Sequence, residues 1–213
     1  MRILITGFGR FPGSPANPSA LIATRLVRRR RPAFAGTQRV AHVFATRYDA
    51  VDYELPALLA REKPDIVVMF GVATRSRRVR IEERARNRIA LFPDAGGCRP
   101  AAPTIAPHRD VLRNPLPLAR LVKAAHSARV TATRSRNAGT YLCNYVYWRA
   151  LDAAARPGGP NLVIFIHVPP IGLKKLPKGR RSRRDRAPRL GDLVRAGEAI
   201  VLAMISLAAA ERR

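Results

Sequence analysis

The eight residues "DIVVMFGV", Asp65 to Val72, decide how the rest of the chain is read. Apolar residues stand at consecutive rather than alternate positions, so neither face of this strand is left for water. Strands covered on both faces belong to parallel sheets flanked by helices. Working outward, "ILITGF" (3–8) and "NLVIFIHV" (161–168) repeat the pattern, with further strands at Gln38–Phe44 and in "RVTAT" (129–133). Helical stretches lie between them. Asn17 can cap a helix whose first turn holds Pro18, and others are expected at "PALLAREK" (56–63), "LARLVKAAHSA" (118–128), Tyr141–Ala155 and Leu190–Ala210. "VRIEERARNRIAL" (79–91) reads as a strand or hairpin beside a site, and Ala95–Pro115 as a long irregular loop. Strands alternating with helices predict an α/β fold, a three-layer α/β/α sandwich around a mostly parallel twisted sheet. With no internal repeat and no linker, one domain over 1–213 is expected, carrying a basic loop at about 174–189.

Composition narrows the class. Apolar residues make up 47% of the 213, which excludes a disordered polyelectrolyte. Two cysteines without a C-x-x-C pair make no disulfide framework, so a reducing compartment, the cytoplasm, is expected. The N-terminal "MRILITGFG" runs straight into a strand pattern, and the apolar run "AIVLAMISLAAA" (199–210) is too short to span a bilayer, so no membrane contact is expected. The net charge is +26, with basic runs at Arg28–Arg31 and Lys174–Arg189. Such blocks attract phosphate backbones or acidic surfaces, or else form a solvated helix end and a surface loop. No DNA-binding or RNA-binding motif accompanies them.

Open α/β sheets hold ligands beyond the carboxyl ends of their strands. After "RVTAT" comes "RSRNAGTYLCNY", in which Gly139 permits a tight turn and Cys143 falls in the first turn of the next helix. Unpaired N–H groups and the helix dipole favour a thiolate there, and could also hold an oxyanion. A free cysteine is equally often just a small buried residue, and position alone leaves both readings standing. His167, at the end of the "VIFIHV" strand, is the best-placed proton acceptor for such a thiol. His42, His108 and His126 have weaker claims. Alternation in "VRIE" sets Glu82 opposite in facing to Ile81, so one of Glu82 and Glu83 can face a site, while the alternative is surface charge balancing the arginines. "GFGRFPG" lacks dinucleotide-site spacing, no paired-histidine metal motif is present, and Cys98 reads as incidental.

Together, "ILITGFGRFPGSPANPS", "PDIVVMFGVA", "EERARN", "PDAGG", "SRNAGTYLCNYVYW" and "FIHVP" resemble the pyroglutamyl peptidase I family of cysteine peptidases, in order and spacing over most of residues 1–170. The resemblance implies that Cys143, in the A-G-x-Y-x-C-N pattern, is the nucleophile. It makes His167 the histidine of F-I-H-x-P and Glu82, rather than Glu83, the third catalytic residue. Phe8 and Phe11 match the aromatic residues of T-G-F-x-x-F associated with the pyroglutamyl ring. Val72 stands where the family has a substrate-side glutamine, Leu91 where it has an arginine, and Ala95 where it has an asparagine. The implied activity is removal of an N-terminal pyroglutamyl residue from peptides through a thioester acyl-enzyme, with no metal and no cofactor, in a homotetramer. The second reading, from a different class, is a divergent non-catalytic homologue that binds nucleic acid or another polyanion through the basic loop.

Overall fold

The computed structural model describes residues 1–11, 17–107, 109–171 and 188–211. The chain runs β1 (Arg2–Phe8), α1 (Pro18–Val27), β2 (Gln38–Phe44), α2 (Tyr48–Glu62), β3 (Ile66–Val72), β4 (Val79–Glu82) and β5 (Arg84–Arg86). It continues through β6 (Val111–Arg113), α3 (Leu118–Ser127), β7 (Ala132–Ser135), α4 (Leu142–Ala154), β8 (Leu162–Val168) and α5 (Leu190–Glu211). Six strands make one sheet in the order β2-β1-β3-β8-β4-β7, while β5 and β6 form a separate antiparallel pair.

Alternation along the strands divides the core into two layers. Ile3, Ile5, Val68, Phe70, Ile164 and Ile166 pack with α1, α3 and α5 on one face. Leu4, Phe8, Val67, Met69, Val163 and Phe165 pack with α2 and α4 on the other. This is the expected three-layer α/β/α sandwich. At the start of α1, Asn17 accepts from the backbone N–H of Ser19 (3.1 Å), and Pro18 occupies the first turn.

Four differences from the sequence reading have local causes. The second helix starts at Tyr48, eight residues before "PALLAREK", and carries Pro56 in its interior. Its first N–H group is met from elsewhere in the chain, because the carboxylate of Asp94 accepts from Tyr48 N at 3.0 Å. The irregular 95–115 stretch contains β6, which pairs with β5. The "RVTAT" strand lies later, at Ala132–Ser135, and with β4 runs against the other four strands: Arg80 stands opposite His167 in an antiparallel pair, and β7 is parallel to β4. β7 therefore runs away from the carboxyl ends of β1, β3 and β8, although its last residue, Ser135, is paired with Glu82 beside His167. Finally, Leu190–Ala210 is long and apolar enough to cross a membrane, contrary to the short-run reading, but more than half of it is buried in the protein. Leu193, Ile200, Val201 and Met204 belong to the core.

The Arg28–Arg31 run is in part structural. Glu198 of α5 is 4% exposed, and both Arg29 (3.2 Å) and Arg31 close on its carboxylate. A buried carboxylate must be paired, and these arginines tie the end of α1 to α5. Most of the second basic run, Lys174–Arg189, lies outside the described residues.

The β5–β6 pair is fastened to the main body by Asn144. This fully buried amide accepts from Arg86 N (2.9 Å) and donates to the carbonyls of Arg86 (2.7 Å) and Arg88 (2.9 Å). Replacing it by alanine leaves three backbone groups without that partner. Asn144→Ala is expected to lower stability by about 3 kcal/mol, measured as a fall in the urea midpoint with unchanged slope.

Candidate active site

The site begins with three strands whose facing is set by alternation. On β8, Ile166 and Val168 turn to the α1/α3/α5 layer, leaving His167 on the α2/α4 side. On β4, Val79 and Ile81 do the same, so Arg80 and Glu82 share a face with His167. On β3, Gly71 lies level with His167. A Cβ at Gly71 would stand 2.8 Å from the Sγ of Cys143 and 2.7 Å from the Cζ of Phe165. Only a residue without a side chain lets the first turn of α4 bring its sulfur down onto the sheet.

This explains how Cys143 reaches the site although β7 points away from it. The chain turns back through Gly139, which has the left-handed φ of +86°, and α4 begins over the sheet face. Cys143 is the second residue of that helix, and no side chain caps its start. The early backbone N–H groups are therefore left to face a ligand.

His167 and Glu82 are buried, at 5% and 0% exposure, and Nδ1 of the ring lies 2.8 Å from Oε1 of Glu82. Cys143 is half-buried and lines the same cavity as His167. Burial alone would drive the pKa of His167 down. The charge of Cys143 and its hydrogen bond to the ring, then the hydrogen bond and charge of Glu82, outweigh that and raise it to about 9. The three side chains are thus brought together as sulfur, imidazole and carboxylate, an arrangement that can ionise the thiol and return the proton to a leaving group. Glu83 has the other fate foreseen for this pair: it faces Arg134 and Arg136, whose hydrogen bonds, that of Arg134 foremost, hold its carboxyl below the usual range.

The cavity measures about 450 Å³, a size that suits a small ligand group. Phe8, Phe11 and Val72 line it, whereas Leu91 and Ala95 do not, and Leu91 is half exposed. Among the other histidines, His42 pairs with Glu54 (2.6 Å) and His126 with the carbonyl of Ala132 (2.9 Å), while His108 lies outside the described residues. Cys98 is exposed and free. No cluster of three or more His, Cys, Asp or Glu able to hold a metal ion occurs among the described residues.

Sequence reasoning missed Arg80. It lines the cavity, lies 3.2 Å from Oε1 of Glu82 through Nη2, and donates to Ser135 Oγ and the carbonyl of Asn137. The alternation that selected Glu82 in "VRIE" selects Arg80 as well.

Two measurements follow from this geometry. In a nuclear magnetic resonance titration, His167 is expected to lose its proton near pH 9, and Cys143→Ser should move that midpoint downward because the main raising partner is gone. Gly71→Ala should lower stability by about 1–3 kcal/mol through overpacking, again read from the urea midpoint.

Comparison with known proteins places the chain in a family. The sequence model of the pyroglutamyl peptidase family matches residues 1–183. A pyrrolidone-carboxylate peptidase of Thermococcus onnurineus is 34% identical over 184 residues, covering 85% of this chain and 90% of the relative. One from Pyrococcus furiosus is 32% identical over 191 residues, covering 84% and 88%. The solved pyrrolidone carboxyl peptidase of Thermococcus litoralis superposes with a TM-score of 0.85 at 29% identity, over 100% of this chain and 96% of that one. The family match takes in every segment that lines the cavity, from Phe8 on the first strand to His167 on the last, and the chain belongs to the pyroglutamyl peptidase family.

Proposed function

We propose that the chain removes an N-terminal pyroglutamyl residue from peptides, with Cys143 as nucleophile, His167 as proton carrier and Glu82 as its orienting carboxylate. The observation that carries this is the meeting of Cys143, His167 and Glu82 at the wall of a cavity that Phe8, Phe11 and Val72 also line. The pyroglutamyl ring is an uncharged lactam, and Phe8, Phe11 and Val72 offer it apolar surface.

In the first half-reaction the Cys143 sulfur bonds to the carbonyl carbon between pyroglutamate and the next residue. The negative charge moves to the carbonyl oxygen, within reach of the unpaired N–H groups at the start of α4. Imidazolium at His167 then gives its proton to the departing nitrogen as the carbon–nitrogen bond breaks, leaving a thioester. In the second, neutral His167 takes a proton from water, whose oxygen attacks the thioester, and pyroglutamate leaves with the sulfur released as thiolate. Glu82 holds Nδ1–H throughout, so that the other nitrogen faces the reaction.

The same reading takes the chain as one peptidase domain and assigns it to the cytoplasm, where both free cysteines stay reduced.

The test is hydrolysis of a fluorogenic pyroglutamyl amide. Cys143→Ser is expected to lower kcat/KM by at least about 10³-fold, and an equal rate in the two proteins would overturn the assignment. Activity should fall above about pH 9, where His167 no longer carries the proton owed to the leaving amine. Glu82→Gln should shift that alkaline limb to lower pH, since one of the groups that raises the His167 pKa is neutralised.

A further inference from the structure

The cavity is chemically unlike on its two sides, and the strand order says which is which. Across the sheet the lining positions run Phe8 on β1, Val72 on β3, His167 on β8 and Arg80 on β4, and Arg80 is held from behind by Ser135 at the end of β7. Neighbouring strands lie about 4.8 Å apart, so Phe8 and Arg80 stand on opposite sides of His167, about 14 Å from one another. The apolar side suits the pyroglutamyl ring. The leaving residue, whose nitrogen takes the proton of His167, must then extend toward Arg80.

That second side is cationic. Arg75 and Arg80 both line the cavity, and among the described residues no carboxylate does. Glu82 lies wholly buried behind His167, and Glu83 is turned to Arg134 and Arg136. Arg77 and Arg78, exposed on the loop that follows β3, add to the same field.

Arg80 is also held in place. Nε donates to Ser135 Oγ (3.1 Å), and Nη2 to Ser135 Oγ (2.6 Å) and the Asn137 carbonyl, with Glu82 Oε1 at 3.2 Å. Its Nη1 makes no hydrogen bond among the described residues. A guanidinium fixed along one edge, with donors open on the other, is prepared to receive an oxyanion at little further cost in side-chain entropy.

We propose that Arg80, assisted by Arg75, selects peptides in which the residue following pyroglutamate carries a carboxylate. This inference rests on the pyroglutamyl peptidase reading and extends it to the leaving side of the scissile bond. The carboxylate belongs either to an aspartate or glutamate side chain or, in a dipeptide, to the chain terminus, and Arg80 can bind both through the same donors.

The experiment compares kcat/KM for C-terminally amidated pyroglutamyl-Glu-Ala and pyroglutamyl-Gln-Ala, and separately for pyroglutamyl-Ala as free acid and as amide. At low ionic strength the glutamate peptide is expected to be preferred over its glutamine isostere by about tenfold, with the ratio narrowing as salt is added. A preference confined to the free acid dipeptide would identify the terminal carboxylate as the group Arg80 takes. Arg80→Ser should bring the favoured ratio close to one. If Arg80 served only to hold Glu82, both peptides of a pair would slow in proportion and the ratio would persist, which overturns the proposal. Arg75→Ala, at an exposed position, should reduce the ratio about threefold without disturbing the fold. Ratios near one for both wild-type pairs, with the glutamine peptide still cleaved, would overturn the proposal and leave the peptidase reading intact. Failure to cleave any pyroglutamyl peptide would instead remove the reading on which it stands.

Discussion

The carboxylate of Glu82 has none of its surface exposed, and a charge so placed can exist only if its partners are fixed. Much of the surrounding structure supplies them. His167 meets it at the end of β8 and Arg80 from its own strand, both at Oε1, while Tyr147 of α4 fixes the residue's backbone by donating its hydroxyl to the main-chain carbonyl of Glu82 at 2.8 Å. Asn114 in turn donates to that hydroxyl (2.8 Å) and to the carbonyl of Val163 (2.7 Å). The helix that brings Cys143, the strand that brings His167 and the segment after β6 therefore converge on one buried residue. Because β4 runs antiparallel to β8, Glu82 comes in from beside His167 rather than from a loop beyond it.

The parts of this arrangement that could be read from the sequence are those governed by neighbours along the chain. Two-residue alternation put Ile81 and Glu82 on opposite faces, and continuous apolar runs marked β1, β3 and β8. The Asn17–Pro18 pair marked the start of α1. What escaped depends on residues distant in the chain. The start of α2 is stabilised by Asp94, forty-six positions away, so little near Tyr48 beyond the first-turn Asp49 announces it. The direction of β7 is decided by its pairing with β4 and by the return through Gly139, and a four-residue strand carries no signal of its own polarity. Arg80 was legible in principle, since it shares Glu82's facing. It was hidden by the large number of arginines around it.

That abundance is less uniform than the net charge suggests. Arg29 and Arg31 close on the buried Glu198, Arg134 and Arg136 on the largely buried Glu83, and Arg149 reaches Asp52 at 3.0 Å. With so few acids available, Glu198 and Glu83 each engage two arginines. An exposed pair such as Arg149–Asp52 contributes little to stability, about 0–1 kcal/mol, whereas the pairs that close on Glu198 allow a carboxylate to sit between two helices.

The contact between Gly71 and the sulfur of Cys143 has a stereochemical consequence. One hemisphere of the sulfur is closed off by backbone, leaving its lone pairs available from the cavity alone. In the proposed reaction an acyl carbon would therefore arrive along a single direction and present one face of its carbonyl to the sulfur, a restriction that comes from a missing methyl group rather than from any pocket that grips the ring.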